Sequence, residues 1–420
     1  MQNRFGYEYQ LTLKMFLEHG VQFSPKQKIV YGEIMEYSYL DQYKRVKKLS
    51  NVLKTLGVKK QETIGMLEWD THRFMEAHWA VPISGFLFHT VNVRMPPAQI
   101  AYCIDHAEDK IVFFNEEFLP IIENISGLLT KVEKYIIMTD REDFKMPETT
   151  MKNLYEYEEL LEGASDEFDF PEISENTPAT LCYTSGTTGN PKGVIFTHRE
   201  LVMHSIATGF QTGLYKDQMD SKSDSVYMPL TPMFHVQAWT SPYLFYMLGC
   251  KYVLPGKFEP LKILRLIHKE KVNIACCVST ILHMLIFRKD IENFNLKGLN
   301  VCVGGAKLTQ QIAMKCLKLG IHAISYYGMT ETGPGIASGQ VRPEFYDLSE
   351  EDKYSYYVRA GLPWPWCKIK IVNEDFMEVS QGCIGEIVVR SPWASHEYYK
   401  EPEMTATLWK NGWLHTEDLG

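Results

Sequence analysis

The sequence predicts an α/β fold: two doubly wound αβ subdomains over about residues 1–355, and a small β-barrel-like subdomain over about 356–420. Three observations lead there. Apolar strand-like runs alternate with stretches long enough for a helix, which is the pattern of open parallel sheets covered by helices. After about Tyr356 the pattern changes to short strands separated by Gly and Pro, as in an antiparallel sheet or small barrel. The length of 420 residues, at roughly 150 per domain, leaves room for more than one structural unit.

The elements follow in order. Leu40, Tyr43, Val46, Leu49, Leu53 and Leu56 repeat at helical spacing and stop at Gly57, after which Thr63 to Leu67 reads as a buried strand. Further strands are expected at Lys110 to Phe114, Lys134 to Met138, Thr180 to Tyr183, Val226 to Leu230, Lys251 to Leu254, Asn273 to Val278 and Val301 to Val303. In the last part, Lys368 to Val372 and Gly385 to Arg390 are the strand candidates. The acidic stretch from Glu156 to Glu175 reads as a linker or surface segment.

Composition excludes several classes of function. Lys and Arg total 43 against 52 Asp and Glu, and a formal charge of −9 gives no general attraction to nucleic acid or anionic lipid. Any phosphate ligand must be held by a local site. The nine cysteines form no CxxC pair and sit mostly in apolar runs, so buried free thiols in a reducing compartment are expected. No signal segment opens the chain and no run of about 18 apolar residues occurs, which predicts a cytoplasmic protein without stable membrane insertion.

The strongest chemical signal is Tyr183 to Val194, YTSGTTGNPKGV, directly after a strand-like run. Gly186, Gly189 and Gly193 let backbone approach a ligand and take positive φ, while Thr184, Ser185, Thr187 and Thr188 supply hydroxyls for phosphate oxygens. Lys192 adds a point charge. This is not a Walker A loop, because Gly193 and not Ser or Thr follows the lysine. Thr197 and Glu200 form a Thr-x-x-Glu capping box, so a helix starts a few residues later.

At these residues the sequence resembles the adenylate-forming (AMP-binding) superfamily, which activates carboxylates as acyl-adenylates and includes the acyl-CoA synthetases. Other blocks agree in order: Pro232 to Trp239 (PMFHVQAW), Val303 to Ala306 (VGGA), Tyr326 to Thr332 (YYGMTET), Gly385 to Pro392 (GEIVVRSP) and Gly412 to Asp418 (GWLHTED). PMFHVQAW looks most like the fatty acyl-CoA synthetases. The resemblance implies ATP, Mg2+ and coenzyme A as co-reactants, small molecules and not nucleic acid as partners, and is compatible with a homodimer.

It also implies site residues. Thr188, Lys192, His235, Thr330 and Glu331 form the catalytic set, with Glu331 as the Mg2+-binding glutamate and Thr330 at the α-phosphate. Thr184, Ser185, Gly186, Thr187, Gly189, Gly304, Gly305, Ala306, Tyr326, Tyr327 and Gly328 complete the nucleotide site. Tyr327 is expected to stack on adenine, and Asp418 to accept hydrogen bonds from both ribose hydroxyls. His235 would lie by the reacting carboxylate, with Val236 and Trp239 also on the substrate side. Trp239 falls on the same face as His235 if the segment is helical, and by analogy gates the acyl tunnel.

Two departures from the family pattern stand out. Glu417 occupies a position that is usually Gly, so a positive φ there would strain the backbone. Family members also continue past the Asp-containing block with a hinge and a mobile C-terminal domain carrying a lysine that contacts the reacting groups. The expectation for a chain ending at Gly420 is therefore a truncated enzyme that binds ATP and acid but turns over poorly. PMFHVQAW holds no Asp to pair with an α-ammonium group, which favours a carboxylic acid without an amine. The aromatic and Met-rich stretch from Tyr227 to Tyr246 favours an acyl or aryl chain. A fatty acid is the leading substrate class, with an aryl-CoA or other carboxylate-activating ligase, or a nucleotide-binding module, as alternatives.

Overall fold

The computed structural model describes residues 7–184, 189–215, 219 and 221–420. Helix Tyr39–Thr55 starts on a capping box in which Ser38 and Asp41 satisfy each other's backbone N–H groups, and it buries the expected Val46, Leu49 and Leu53. The all-buried strand Thr63–Leu67 follows. It lies in the middle of a seven-stranded sheet whose order is Leu154–Glu156, Lys134–Met138, Asp109–Asn115, Thr63–Leu67, Leu87–Thr90, Pro178–Thr184 and Lys192–Thr197. Every neighbouring pair is parallel except the last, an antiparallel hairpin.

The second sheet has nine strands. Its centre is the parallel run His322–Tyr327, Asn300–Gly304, Ile274–Val278, Val226–Pro229, Lys251–Leu254 and Lys28–Tyr31. Met35–Ser38 closes one edge, while Ala337–Ser338 and Leu362–Pro363 close the other, all antiparallel. The early hairpin Lys28–Ser38 thus joins strands more than 200 positions away, which local periodicity cannot show. Strands buried on both faces read as continuous apolar runs, and this is why the expected strands fall within a residue or two of those observed.

The last part forms a four-stranded antiparallel sheet, Lys368–Val372, Glu386–Arg390, Trp413–Leu419 and Trp409–Lys410. Of the two forms open for this region, the antiparallel sheet is the one present. One expectation is corrected: the acidic stretch after Glu156 is not simply a linker. Residues Tyr157–Glu162 form a helix whose Tyr157 is fully buried, with its hydroxyl 2.7 Å from Glu76. Glu158 bridges the guanidinium groups of Arg45 and Arg73 at 2.9 and 3.0 Å. The charge run there serves a network joining three helices.

Seven of the nine cysteines are buried and all are free thiols, with Cys367 half-buried and Cys383 exposed. No helix among the described residues is long and apolar enough to cross a membrane.

Candidate functional site

The glycine- and threonine-rich stretch joins in sequence the two strands of the antiparallel hairpin Pro178–Thr184/Lys192–Thr197, in which Thr184 pairs with Lys192 and Tyr183 with Gly193. Ser185, Gly186, Thr187 and Thr188 lie outside the described residues. A strand, not a helix, follows the loop directly; the helix His198–Gln211 comes after it, on the expected capping box of Thr197 and Glu200. The glycines differ in purpose. Gly189 has φ +116° and open space around it, so its role is conformational. Gly193 has no positive φ; a Cβ there would press on Leu181, Tyr399 and Tyr183 at 3.1–3.2 Å, so close packing explains it.

Glu331 is buried beside this hairpin. Its Oε1 accepts a 2.6 Å hydrogen bond from the hydroxyl of Tyr398, and its backbone carbonyl accepts from Ser395 N at 2.8 Å. Burial pushes the carboxyl above its ordinary range, opposed by the Tyr398 hydrogen bond and the charge of Lys192. The Lys192 ammonium lies 5.0 Å from the centre of the Tyr398 ring. The segment from Ser395 to Lys400 runs across the hairpin as a strap. Ser395 Oγ donates to Ile195 O at 3.0 Å, Tyr399 N donates to Gly193 O at 2.8 Å, and Lys400 Nζ reaches His106 O at 3.2 Å. Tyr398 and the strap carry no recognisable spacing relative to the loop, and sequence reading missed them.

A cleft of about 780 Å³ opens between the large parallel sheet and the small antiparallel sheet. Gly305, Ala306, Tyr326, Tyr327, Gly328 and Asp418 all line it, so most of the expected adenine-side and ribose-side residues come together; Gly304, expected beside the base, does not line the cleft and packs against Trp239 instead. Tyr327 donates a 2.9 Å hydrogen bond from its hydroxyl to Asp418 Oδ2. Gly305 has φ +69°, which lets the chain turn out of strand Asn300–Gly304. Lys307 and Arg359 add cationic wall residues that sequence analysis did not single out. Thr330 sits in the turn after strand His322–Tyr327, directly before Glu331, half-buried, its carbonyl accepting from Gly333 N at 3.2 Å.

Glu417 has φ +61°. The strain expected at that position is present, at about 1–2 kcal/mol for a side-chain-bearing residue in the left-handed region. The conformation is held by Glu386, whose carboxylate accepts from Glu417 N at 3.1 Å and from His415 Nδ1 at 2.8 Å.

His235 opens a short turn, Val236–Thr240, in which Val236, Ala238, Trp239 and Thr240 have φ of +44°, +53°, +56° and +55°. The expected right-handed register between His235 and Trp239 therefore does not apply. Val236 is buried within the turn. Burial, together with the nearby Arg94, pushes the His235 imidazole below its ordinary pKa. The Trp239 ring lies against Gly304, where a Cβ would fall 2.8 Å from Trp239 Cη2. Gly304 is thus required by the indole. Trp239 also walls an apolar cavity with Leu244, Phe245, Tyr326 and Trp364, and only about 20 Å³ of it is open. Tyr326 lines both this cavity and the large cleft; His235 lines neither.

The family described as AMP-binding enzyme matches residues 17–399. The chain belongs to the AMP-binding enzyme family. Among its relatives, a long-chain-fatty-acid–CoA ligase of Thermus thermophilus is 33% identical over 419 residues, covering 98% of this chain and 74% of that protein. A medium-chain-fatty-acid–CoA ligase of Ectopseudomonas oleovorans is 31% identical over 420 residues, covering 98% and 75%. The N-terminal domain of FACL13 from Mycobacterium tuberculosis superposes with a TM-score of 0.82 at 21% identity, covering 98% of this chain and 96% of that one. The anthranilate CoA ligase AuaEII in complex with anthranoyl-AMP gives a TM-score of 0.86 at 19% identity, covering 98% and 76%. These two structures establish the AMP-binding enzyme fold.

Proposed function

We propose that the protein activates a carboxylic acid, foremost a fatty acid, with ATP to give the acyl-adenylate and pyrophosphate, and then transfers the acyl group to coenzyme A with release of AMP. The observation that carries this reading is the shared wall at Tyr326. A cleft of about 780 Å³, within the range of small-molecule sites, adjoins a closed apolar cavity through one side chain. A nucleotide in the first and an acyl chain in the second, once Trp239 swings aside to widen a space that now has only about 20 Å³ open, would bring an α-phosphate and a carboxylate to the same boundary.

In the first step a carboxylate oxygen attacks the α-phosphorus in line and the bond to the pyrophosphate oxygen breaks. In the second, the thiol sulfur attacks the acyl carbonyl and AMP leaves with the bridging oxygen. Such chemistry asks the protein chiefly for positioning and charge neutralisation. Lys192, at the loop end of the hairpin, supplies positive charge on the phosphate side, with Thr188 and Thr330 as hydroxyl donors. Asp418, oriented by Tyr327, accepts from the ribose hydroxyls. His235 is assigned to the acyl side, where burial and Arg94 hold it neutral and able to donate a hydrogen bond to a carboxylate oxygen.

Glu331 fits a Mg2+ ion. It offers one buried hard carboxylate, and Mg2+ commonly binds through one or two carboxylates together with substrate phosphates and water. When bound, the ion would neutralise phosphate charge.

An acid without an amine is favoured on the acyl side. The buried carboxylate of Asp70, which touches the PMFHVQAW segment, is already engaged by Met233 N at 2.6 Å and does not line the apolar cavity. The aromatic walls also suit an aryl acid, which is the second reading. Each buried methylene contributes about 0.8 kcal/mol, or roughly fourfold in affinity, until the cavity ends. Pyrophosphate exchange measured with acids of increasing chain length tests the proposal. Exchange is expected to rise with aliphatic length to a limit and to be abolished by Thr188→Ala or Glu331→Ala. Exchange confined to aryl acids would select the second reading, and exchange unaffected by either substitution would overturn the site assignment.

A further inference from the structure

Three buried polar side chains from the seven-stranded half grip the backbone of the segment that leads to His235. Asp70 follows strand Thr63–Leu67, and its Oδ1 accepts from Met233 N at 2.6 Å. His78, on helix His72–Ile83, places Nε2 3.3 Å from Met233 O. Thr90, the last residue of strand Leu87–Thr90, donates from Oγ1 to Phe234 O at 2.9 Å. All three are at most 8% exposed.

The segment they grip belongs to the other half. It continues strand Val226–Pro229 of the nine-stranded sheet, and Leu230 N and Thr231 N both donate to Cys276 O, at 3.1 and 2.8 Å. Residues 230–234 are therefore pinned at one end to the sheet carrying the nucleotide cleft and at the other to the sheet carrying the phosphate-loop hairpin. His235 is the next residue.

We propose that Asp70, His78 and Thr90 act together as a positioning clamp that fixes the acyl-side turn, and with it His235, in register with the phosphate-loop hairpin. The inference rests on the adenylation reading above and deepens it. Backbone atoms of Met233 and Phe234 need partners in a buried place, but that requirement alone would be met by any neighbour in the same half. Here all three partners come from the half that carries the phosphate-loop hairpin, so the three bonds tie the acyl-side turn to that hairpin. The two ring contacts favour one tautomer for the clamp: with Nε2–H donating to Met233 O, Nδ1 faces the Tyr243 hydroxyl at 3.4 Å. Burial pushes His78 down to about 3, so it stays neutral. Asp70 faces Arg94 from the neighbouring loop as well as Met233 N.

A clamp of this kind touches no substrate. Its loss should slow the chemical step while leaving nucleotide binding intact, since a misplacement of about 1 Å can cost on the order of 100-fold in rate. The test is steady-state pyrophosphate exchange on the whole protein with the best aliphatic acid, together with direct ATP binding by equilibrium dialysis. Thr90→Val keeps shape and removes one bond; Asp70→Ala removes another; Asp70→Asn keeps an oxygen acceptor. The expected result is a kcat lowered about 10- to 100-fold in Thr90→Val and Asp70→Ala, ATP binding within about threefold of wild type, and near-complete recovery in Asp70→Asn. Unchanged kcat in Thr90→Val, or ATP binding that falls in parallel with kcat, would overturn the clamp. Should Asp70→Ala not fold, Thr90→Val decides alone. Wild-type protein that exchanges no pyrophosphate with any acid would instead remove the adenylation reading itself, a result distinct from either outcome for the variants.

Discussion

Tyr398 donates a 2.6 Å hydrogen bond to Oε1 of Glu331 across 67 positions of sequence, and the same ring lies 5.0 Å from the ammonium of Lys192. One phenol thus orients a buried carboxylate and packs beneath the cation that opposes it. Tyr398→Phe keeps the ring and removes the hydroxyl. It should weaken Mg·ATP binding about tenfold or more, in line with about 1.5–3 kcal/mol for a hydrogen bond to a charged group, while Lys192 stays in place. Titration of nucleotide at fixed high Mg2+ reads this directly; binding equal to wild type would show that Glu331 needs no such partner.

The backbone at Glu417 carries a cost that a glycine would not. Glu417→Gly should raise stability by about 0.5–1 kcal/mol, the left-handed penalty less the greater unfolded-state freedom of Gly. The bond from residue 417 N to Glu386 is a backbone bond and survives the change. Glu417→Ala serves as the comparison, because it removes the carboxylate and keeps the strained φ. Urea unfolding should stabilise the Gly variant only; equal midpoints for both variants would place the effect in charge.

Trp239 and Gly304 are mutually constrained, since a Cβ on residue 304 would come within 2.8 Å of the indole. Gly304→Ala should therefore displace the ring and reduce adenylation, and Trp239→Phe should partly restore it. A coupling energy of about 0.5–3 kcal/mol is expected for residues in contact. Additive effects in the double variant would show that the contact does not matter to turnover.

Burial holds three imidazoles neutral: His78 and His204 are pushed down to about 3 and His198 to about 4. The unfolded chain takes up a proton on each near pH 6.5. Between that value and the folded pKa the unfolded state binds more protons, so each group lowers stability as pH falls from about 6.5 towards 4. Burial raises Glu68 to about 8 and Asp70 to about 7, and these act in the opposite sense. The clean observable is a difference. His198→Gln, which removes one titrating group, should flatten the dependence of unfolding free energy on pH by about one proton, or about 1.4 kcal/mol per pH unit, between pH 4 and 6.5. Parallel curves for wild type and variant would contradict the buried neutral state.

Much of the architecture was legible because parallel strands covered on both faces leave uninterrupted apolar runs such as Ile64 to Leu67 and Tyr135 to Met138. What could not be read was pairing across long separations. The hairpin Lys28–Ser38 joins the far sheet, and Glu158 looked like part of a solvated acidic run because its partners, Arg45 and Arg73, lie about 113 and 85 positions away. The site shows the same division. Gly305, Tyr327 and Asp418 belong to short blocks and meet in one cleft. Tyr398, Asp70, His78 and Thr90 stand outside any block and show their purpose only through backbone atoms they reach in space. The turn after His235 also escaped, because nothing in the residues Val236 to Thr240 advertises left-handed backbone.

Tyr326 is a party wall. On the proposed adenylation reading, carving away this side chain to retune chain-length preference would also open the neighbouring chamber, coupling selectivity for the acid to grip on the nucleotide at that position. Remodelling confined to Leu244 and Phe245, which line the apolar chamber and not the cleft, escapes that trade-off.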